Sequence, residues 1–184
     1  MQDPKEKIKK IPVYTEDKEN ATFAKYLLRG KTSNLNFIDI SMPCTTLLEL
    51  SLKKIPAFTA PQALIILDGD VNTRHKSESK LKKVSNILLL PSDKSPEQYL
   101  ATFLHGLSAK DKLWAKIGNG YTKQLCFDGF LYNDIISDRD IAKRWFIDKK
   151  SSWGRGCSIV LKALFDKYSD DKADFRSQFD KIMK

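Results

Sequence analysis

Long apolar runs, paired cysteines and histidines are scarce in this 184-residue sequence. The longest unbroken apolar run, Ala63–Leu67, is far too short to cross a bilayer, and no apolar segment follows the lysine-rich N-terminus as it does in a signal peptide. The three cysteines, Cys44, Cys126 and Cys157, are widely spaced, and together with two histidines they match no zinc-binding pattern. The sequence therefore predicts a cytoplasmic protein without a disulfide framework, a zinc site or a membrane partner.

The remaining composition is that of a globular domain with an excess of positive charge. Apolar residues make up 41% of the chain and charged residues 30%, which excludes an intrinsically disordered protein. Lysine and arginine number 32 against 23 acids, so the formal net charge is +9. This excess favours a polyanionic partner such as nucleic acid, a nucleotide or an anionic lipid, although a merely soluble basic protein accounts for it equally well.

Short apolar runs alternate with amphipathic segments in the first two thirds of the chain, and helical patterns follow. Strands are predicted at Ile11–Thr15, Asn36–Ile40, Ala63–Leu67 and Asn86–Leu90. Helices are predicted over residues 17–29, 45–53, 139–148, 156–168 and 171–183, with another beginning at the Ser95 capping box. This order predicts an α/β fold with a mostly parallel four-stranded sheet flanked by helices. We expect a flexible tail over residues 1–10, an α/β core over 11–138, and a helical C-terminal part over 139–184 packed on that core as one domain.

Carboxylates follow three of the predicted strands. Glu16 and Asp17 follow the first, Asp68-Gly69-Asp70 follows the third, and a loop after the fourth leads to Ser95-Pro96-Glu97. Because the carboxyl ends of parallel strands meet at one sheet edge, these acids are expected to converge there, and a divalent cation would relieve their repulsion. Oxygen ligands without histidine or cysteine suit Mg²⁺ or Mn²⁺. Taken singly, the same residues are also typical of a turn, a helix cap and an acidic first helical turn.

This ordered set resembles the TOPRIM domain, and in detail the nucleases of the overcoming-lysogenisation-defect (OLD) family. The resemblance lies in a strand followed by Glu16-Asp17, a strand followed by Asp68-Gly69-Asp70, and the loop Leu90-Pro91 that leads to Ser95-Pro96-Glu97. It covers about residues 11–155 and implies a Rossmann-like sheet and a Mg²⁺- or Mn²⁺-dependent endonuclease that acts on DNA in phage defence. Some relatives carry an acid where this chain has Asn20.

The OLD resemblance also implies an ATPase partner, which this sequence does not contain. Gly30-Lys31-Thr32 is similar to the end of a nucleotide-binding loop, but it follows a predicted helix, whereas such a loop precedes one. We therefore interpret it as a helix end and a turn. The chain is then expected to be either the catalytic C-terminal domain of a larger ATPase-linked protein, which we favour, or a stand-alone nuclease.

The resemblance and the charge pattern together predict the functional residues. The predicted catalytic residues are Glu16, Asp68, Asp70 and Glu97, with Lys149 or Lys150 as the cation and Lys143 as a third possibility. One or two metal ions are expected on Glu16, Asn20, Asp68, Asp70, Ser95 and Glu97. The expected contacts with nucleic acid are Arg74, Lys76, Lys80, Lys82, Lys83, Arg144 and Arg155, while Trp145 and Trp153 could stack on bases although packing suits them better.

Two other functions fit parts of the same pattern. A TOPRIM fold that has lost its chemistry would bind nucleic acid or a protein partner, and Asn20 in place of an acid gives this interpretation weight. The segment from Leu67 to Asn72 is also similar to the motif of haloacid-dehalogenase phosphatases, in which the first aspartate is the nucleophile. That family usually has this motif on its first strand, and Glu16 and Glu97 would then have no role.

Overall fold

The computed structural model describes residues 10–184, so the predicted tail lies, except for Lys10, outside the described residues. It contains a four-stranded parallel sheet in the order β2-β1-β3-β4. The strands are β1 (Ile11–Thr15), β2 (Leu35–Phe37), β3 (Leu64–Leu67) and β4 (Ile87–Leu89). This confirms the α/β class and the parallel sheet, with all four strands close to their predicted positions.

Eleven α-helices surround this sheet in the described part of the chain. They are α1 (Lys18–Leu27), α2 (Cys44–Leu52), α3 (Val71–His75), α4 (Glu78–Leu81), α5 (Pro96–Gly106), α6 (Lys112–Ile117), α7 (Lys123–Phe127), α8 (Tyr132–Ser137), α9 (Arg139–Trp153), α10 (Gly156–Lys167) and α11 (Ser169–Ile182). A short 3-10 helix, Pro56–Phe58, precedes β3. The sequence did not predict α3, α4, α6, α7 and α8, because helices of four to six residues are too short to show a helical period.

Capping side chains set the first residues of α1 and α5. The Asp17 side chain accepts a hydrogen bond from the Asn20 backbone N–H, so α1 begins one residue after the predicted start. The predicted capping box at the start of α5 is confirmed, with Ser95 and Gln98 satisfying each other's backbone N–H groups. Helix α9 extends to Trp153 instead of ending at 148, and Gly154 then ends it with a positive φ of 51°.

The central strand β3 is buried on both faces because its side chains alternate between two apolar clusters. Leu64 and Ile66 join the larger cluster, which also contains side chains from α1, α5, α9, α10 and α11. Ile65 and Leu67 join a smaller cluster with Cys44 of α2. The helices of residues 139–184 therefore share one core with the sheet.

Covalent crosslinks contribute nothing to this packing. All three cysteines are free, and Cys44 and Cys126 are buried. Among residues 10–184, no helix combines the length and apolar character that crossing a membrane requires.

Both tryptophans considered for base stacking are buried in the larger cluster. Trp145 donates its indole N–H to the Cys126 carbonyl at 2.8 Å, and Trp153 donates to the Tyr121 hydroxyl at 2.7 Å. Their rings pack edge to face, with centroids 6.1 Å apart. The structure therefore assigns them to the core and leaves neither ring available to a base.

Candidate functional site

Three carboxylates converge where β1 and β3 end, because these neighbouring parallel strands deliver their carboxyl ends to one edge of the sheet. We call Glu16, Asp68 and Asp70 the acidic cluster. Nη2 of Arg74 lies 3.5 Å from Glu16 Oε2, 3.8 Å from Asp68 Oδ2 and 3.1 Å from Asp70 Oδ1. The acids that the strand pattern predicted to meet are thus brought together around one cationic nitrogen.

Gly69 allows the loop after β4 to pack directly on the turn that carries the two aspartates. A Cβ atom at this position would lie 1.8 Å from the Ser92 carbonyl oxygen and 2.5 Å from that of Leu90. Both neighbours are backbone atoms, which cannot move aside as a flexible side chain can. The glycine between the aspartates is therefore required by this close approach, which joins two of the sequence motifs.

Asp68 is the most enclosed member of the acidic cluster. Its side chain is 2% exposed, and its Oδ1 accepts a 2.6 Å hydrogen bond from the Asn20 amide nitrogen. Burial raises the pKa of Asp68 to about 8, and the charges of Glu16 and Glu97 add to this shift while Arg139 opposes it. Asn20 was expected to offer its side-chain oxygen to a metal, which stays a prediction; in the structure its amide nitrogen donates to Asp68.

Arg139 reaches the same aspartates from the first position of α9. Its Nη2 contacts Asp68 Oδ2, and its Nε lies 3.1 Å from Asp70 Oδ2. In the sequence, Arg139 begins the basic stretch of residues 139–155, and no short-range pattern connects it with an acid 71 positions earlier. Arg74 was predicted to contact nucleic acid, and this stays a prediction; in the structure its guanidinium faces the acidic cluster.

Glu97 lies at the start of α5 and is almost fully buried. Only 1% of the residue is exposed, and its Oε1 has no hydrogen-bond partner among residues 10–184. Burial raises the pKa of Glu97 to about 7, although its own backbone N–H and the Ser95 hydroxyl oppose this shift. The Ser95 oxygen also accepts the capping hydrogen bond from the Gln98 backbone N–H at 3.3 Å. Ser95, predicted as a metal ligand, is thus already engaged as a helix cap.

Lys143 is the lysine that α9 brings to the acids. Its ammonium lies 2.5 Å from Asp17 Oδ2. Burial lowers the pKa of Lys143, but the contact with Asp17 and the charges of Glu97 and Glu16 outweigh that effect and raise it overall. Lys143 stays charged at neutral pH and lies within electrostatic range of two predicted metal ligands.

Lys149 and Lys150, the first choices from sequence, contact other groups. Lys149 donates to the Asp128 carbonyl at 2.8 Å and lies over the Phe130 ring, because its position on α9 is rotated by about a third of a turn from that of Lys143. Lys150 lies two turns beyond Lys143 on the same face and donates to the Thr22 hydroxyl at 3.1 Å. It lines an open cleft of about 300 Å³ beside Asp17, outside the acidic cluster. The structure therefore favours Lys143 over both predicted lysines.

Apart from Arg74, the residues predicted to contact nucleic acid are all exposed, and two of them form surface ion pairs. Lys80 pairs with Glu49 at 2.7 Å and Lys82 with Glu78 at 2.6 Å. Surface pairs of this kind contribute little to stability, so both lysines can exchange partners with a phosphate. The remaining predicted contacts, Lys76, Lys83, Arg144 and Arg155, are exposed.

The residues at this edge have the chemistry of a magnesium site, with cationic side chains in place of an ion. The donors are carboxylate oxygens, the ligands that Mg²⁺ and Mn²⁺ prefer. Arg74 Nη2 already stands where one oxygen from each of three carboxylates meets, and the buried Glu97 Oε1 lacks a partner. In residues 10–184, no three His, Cys, Asp or Glu side chains form a ready-made metal-holding group. The donor set fits a divalent cation once the guanidinium groups move.

Comparisons with protein-family models, curated proteins and solved structures yield no match to this chain. The function of this chain is therefore inferred from the site itself.

Glu97 is expected to make the protein less stable as the pH rises. Its pKa is raised to about 7 in the folded chain, against an ordinary value of 4.5, so between these values the folded state keeps a proton that the unfolded state releases. In metal-free buffer, we expect the Glu97→Gln protein to gain on the order of 3 kcal/mol relative to the native protein between pH 4.5 and pH 8. Urea unfolding at several pH values measures this difference.

The exposed Glu78 provides the control for that measurement. Its pKa is lowered by Lys82, so Glu78→Gln should leave the pH dependence of unfolding between pH 5 and pH 8 as it is in the native protein. If the free energy of unfolding of the Glu97→Gln protein changed with pH as that of the native protein does, the prediction would be contradicted. Glu97 would then have its ordinary pKa in the folded chain.

Proposed function

We propose that this chain is a nuclease that hydrolyses phosphodiester bonds in DNA with Mg²⁺ or Mn²⁺, and that its fold is a TOPRIM domain of the OLD type. The observation that carries the proposal is the convergence of Glu16, Asp68 and Asp70 around one cationic nitrogen at the carboxyl edge of a parallel sheet. Glu97 interacts electrostatically with this cluster, since its charge contributes to the raised pKa of Asp68. Motif order, strand order and side-chain convergence agree with one another.

Glu16, Asp68, Asp70 and Glu97 would hold one or two ions. A bound divalent cation supplies Lewis-acid stabilisation of the phosphate and an activated water. The protein's own contribution is to keep several carboxylates in place in a partly buried setting, where they would otherwise repel one another. Asn20 supports this arrangement by holding Asp68 Oδ1 with its amide.

Cationic side chains around the acids would bind and orient the substrate. Lys143, held by Asp17, is placed to stabilise negative charge that develops on a transferring phosphate. The exposed Lys76, Lys83, Arg144 and Arg155 would contact phosphates further along the strand. Contacts of this kind give affinity that depends on salt and reads no sequence.

The proposed cellular role follows from the OLD resemblance. We propose that the domain works in the cytoplasm in phage defence, together with an ATPase domain or subunit. Gly30-Lys31-Thr32 follows α1 and leads into β2, so it does not precede a helix as a phosphate-binding loop does. Gly30 has a φ of 87° and belongs to a turn.

Cleavage of supercoiled plasmid and of linear single-stranded DNA tests this function. We expect the purified chain to nick plasmid with Mn²⁺ or Mg²⁺ and to lose that activity in EDTA. The exposed Asp170 of α11 provides a control, because Asp170→Asn makes the same kind of charge change at a residue outside the proposed site and should cleave as the native protein does. Cleavage that persists in EDTA would contradict the proposal.

One observation favours a second function, that of a nucleic-acid-binding module without catalysis. Arg74 and Arg139 neutralise the acidic cluster from within the chain, so the fold does not need a metal to hold these acids together. DNA binding without cleavage in either metal would support this function. The phosphatase alternative is disfavoured because both oxygens of Asp68, its nucleophile, are already engaged. Hydrolysis of p-nitrophenyl phosphate by the purified chain would support the phosphatase alternative.

A further inference from the structure

Two arginines from different parts of the chain hold the acidic cluster together. Arg74 comes from α3, the helix that directly follows the aspartates, and reaches all three acids through Nη2. Arg139 comes from α9 and contacts one oxygen of Asp68 and one of Asp70. Each aspartate therefore faces a guanidinium group from both helices.

Both guanidinium groups occupy positions that a divalent cation would need. Asp68 Oδ2 is approached by Arg74 and by Arg139, while Asp68 Oδ1 is taken by Asn20. An ion that binds the aspartates must therefore displace at least one arginine or share carboxylate oxygens with it. Two positive charges within a few ångströms of a dication would repel it strongly in a partly buried site.

We infer that Arg74 and Arg139 are internal counter-ions that compete with the divalent cation for the acidic cluster and thereby set its metal affinity. This rests on the proposed function, because it concerns the same metal site. In the metal-free protein the arginines neutralise the acids, and metal binding releases them. Their side chains are 24% and 29% exposed, so each displaced guanidinium has a path to solvent.

The two arginines also offset most of the charge that would attract a dication. Here two arginines and three acids give a cluster with a net charge of about −1 when all are ionised, which is far less attractive to a dication than three unopposed carboxylates. A cation therefore binds in competition with the arginines, either by replacing one of them or by sharing carboxylate oxygens with it.

Isothermal titration calorimetry of Mg²⁺ and Mn²⁺ into the full chain tests this inference. We expect Arg139→Gln and Arg74→Gln each to lower the Kd for the ion roughly tenfold, because one opposing charge is removed from a partly screened site. Arg139→Lys and Arg74→Lys keep the charge and should stay much closer to the native Kd. Arg29, exposed at the end of α1, provides the control, and Arg29→Gln should leave the Kd unchanged.

A measurement on the native protein covers the case in which a glutamine variant does not fold. In ¹⁵N NMR spectra, the Nε–H signals of Arg74 and Arg139 should shift on titration with Mg²⁺, while that of Arg29 stays in place. Both signals staying in place while Mg²⁺ binds would overturn the inference.

The calorimetric outcomes separate this inference from the proposed function. Equal Kd values in the native and glutamine proteins would overturn the competition and leave the metal site intact. A weaker affinity in the glutamine proteins would also overturn it, because the arginines would then be holding the ligands in place. Binding by no variant at all would overturn the metal site together with the inference.

Discussion

An Asp68→Asn protein is expected to lose at least about 100-fold of its metal-dependent DNA cleavage while keeping its fold. Asp68 stands at the centre of the site. Its Oδ1 is held by Asn20, and its Oδ2 is approached by both Arg74 and Arg139. The substitution removes the charge of the most enclosed member of the acidic cluster and replaces one of its two oxygens with an amide nitrogen, without changing the size of the side chain.

Rates of plasmid nicking at saturating Mn²⁺ measure this loss, with melting temperature and circular dichroism as checks on folding. The Asp170→Asn protein carries the same chemical change on the exposed face of α11 and should cleave at the native rate. Native activity in the Asp68→Asn protein would remove Asp68 from the reaction and point to a contaminating nuclease. If the Asp68→Asn protein lost both its activity and its fold, the Glu97→Gln protein would provide the test instead. That substitution alters a second proposed metal ligand, which lies in a different element.

A Trp145→Ala protein is expected to lose about 3–5 kcal/mol of its free energy of unfolding. Trp145 is fully buried, and its ring stacks on Phe127 with centroids 5.8 Å apart. Its loss also leaves the buried Cys126 carbonyl without the indole N–H that it accepts at 2.8 Å. The substitution thus combines a large cavity with an unsatisfied polar group.

Urea unfolding measures this effect and also tests whether residues 139–184 fold together with the sheet. Ile147 lies on the exposed face of the same helix, and Ile147→Ala should cost less than about 1 kcal/mol. In the native protein, tryptophan fluorescence reports mainly on residues 139–184, because Trp145 and Trp153 lie there and only Trp114 lies outside, while circular dichroism reports on the whole chain. Coincident transitions are expected for one shared core. Two separate transitions would divide the chain into two domains.

Local patterns in the sequence were enough to predict the sheet and the acids at its edge. The strand β3 is a run of apolar residues bounded by Asp68, and a strand of this kind must be covered on both faces wherever it lies in the fold. Parallel strands end at one edge, so acids placed after β1 and β3 meet there without further information. The capping box at Ser95 is equally local, since its partners are three residues apart.

Local patterns could not predict the short helices, nor could they decide which lysine of α9 meets the acids. The helices α6, α7 and α8 have too few residues to show a period, and they are held by contacts with distant elements. Lys143 and Lys149 belong to the same basic stretch, and the rotation of α9 against the core decides that the first meets Asp17 while the second meets Asp128. That rotation depends on where Trp145 and Phe146 pack.

The arginines at the acidic cluster show most clearly what only the tertiary structure decided. The sequence by itself determined that acids follow the strands and that basic residues are abundant, because both facts depend on residue order alone. It could not determine that Arg139 meets Asp68 across 71 positions, since that contact depends on how α9 lies against the sheet edge. Charge is a property of the sequence, whereas the pairing of charges is a property of distance, and distance is set by packing.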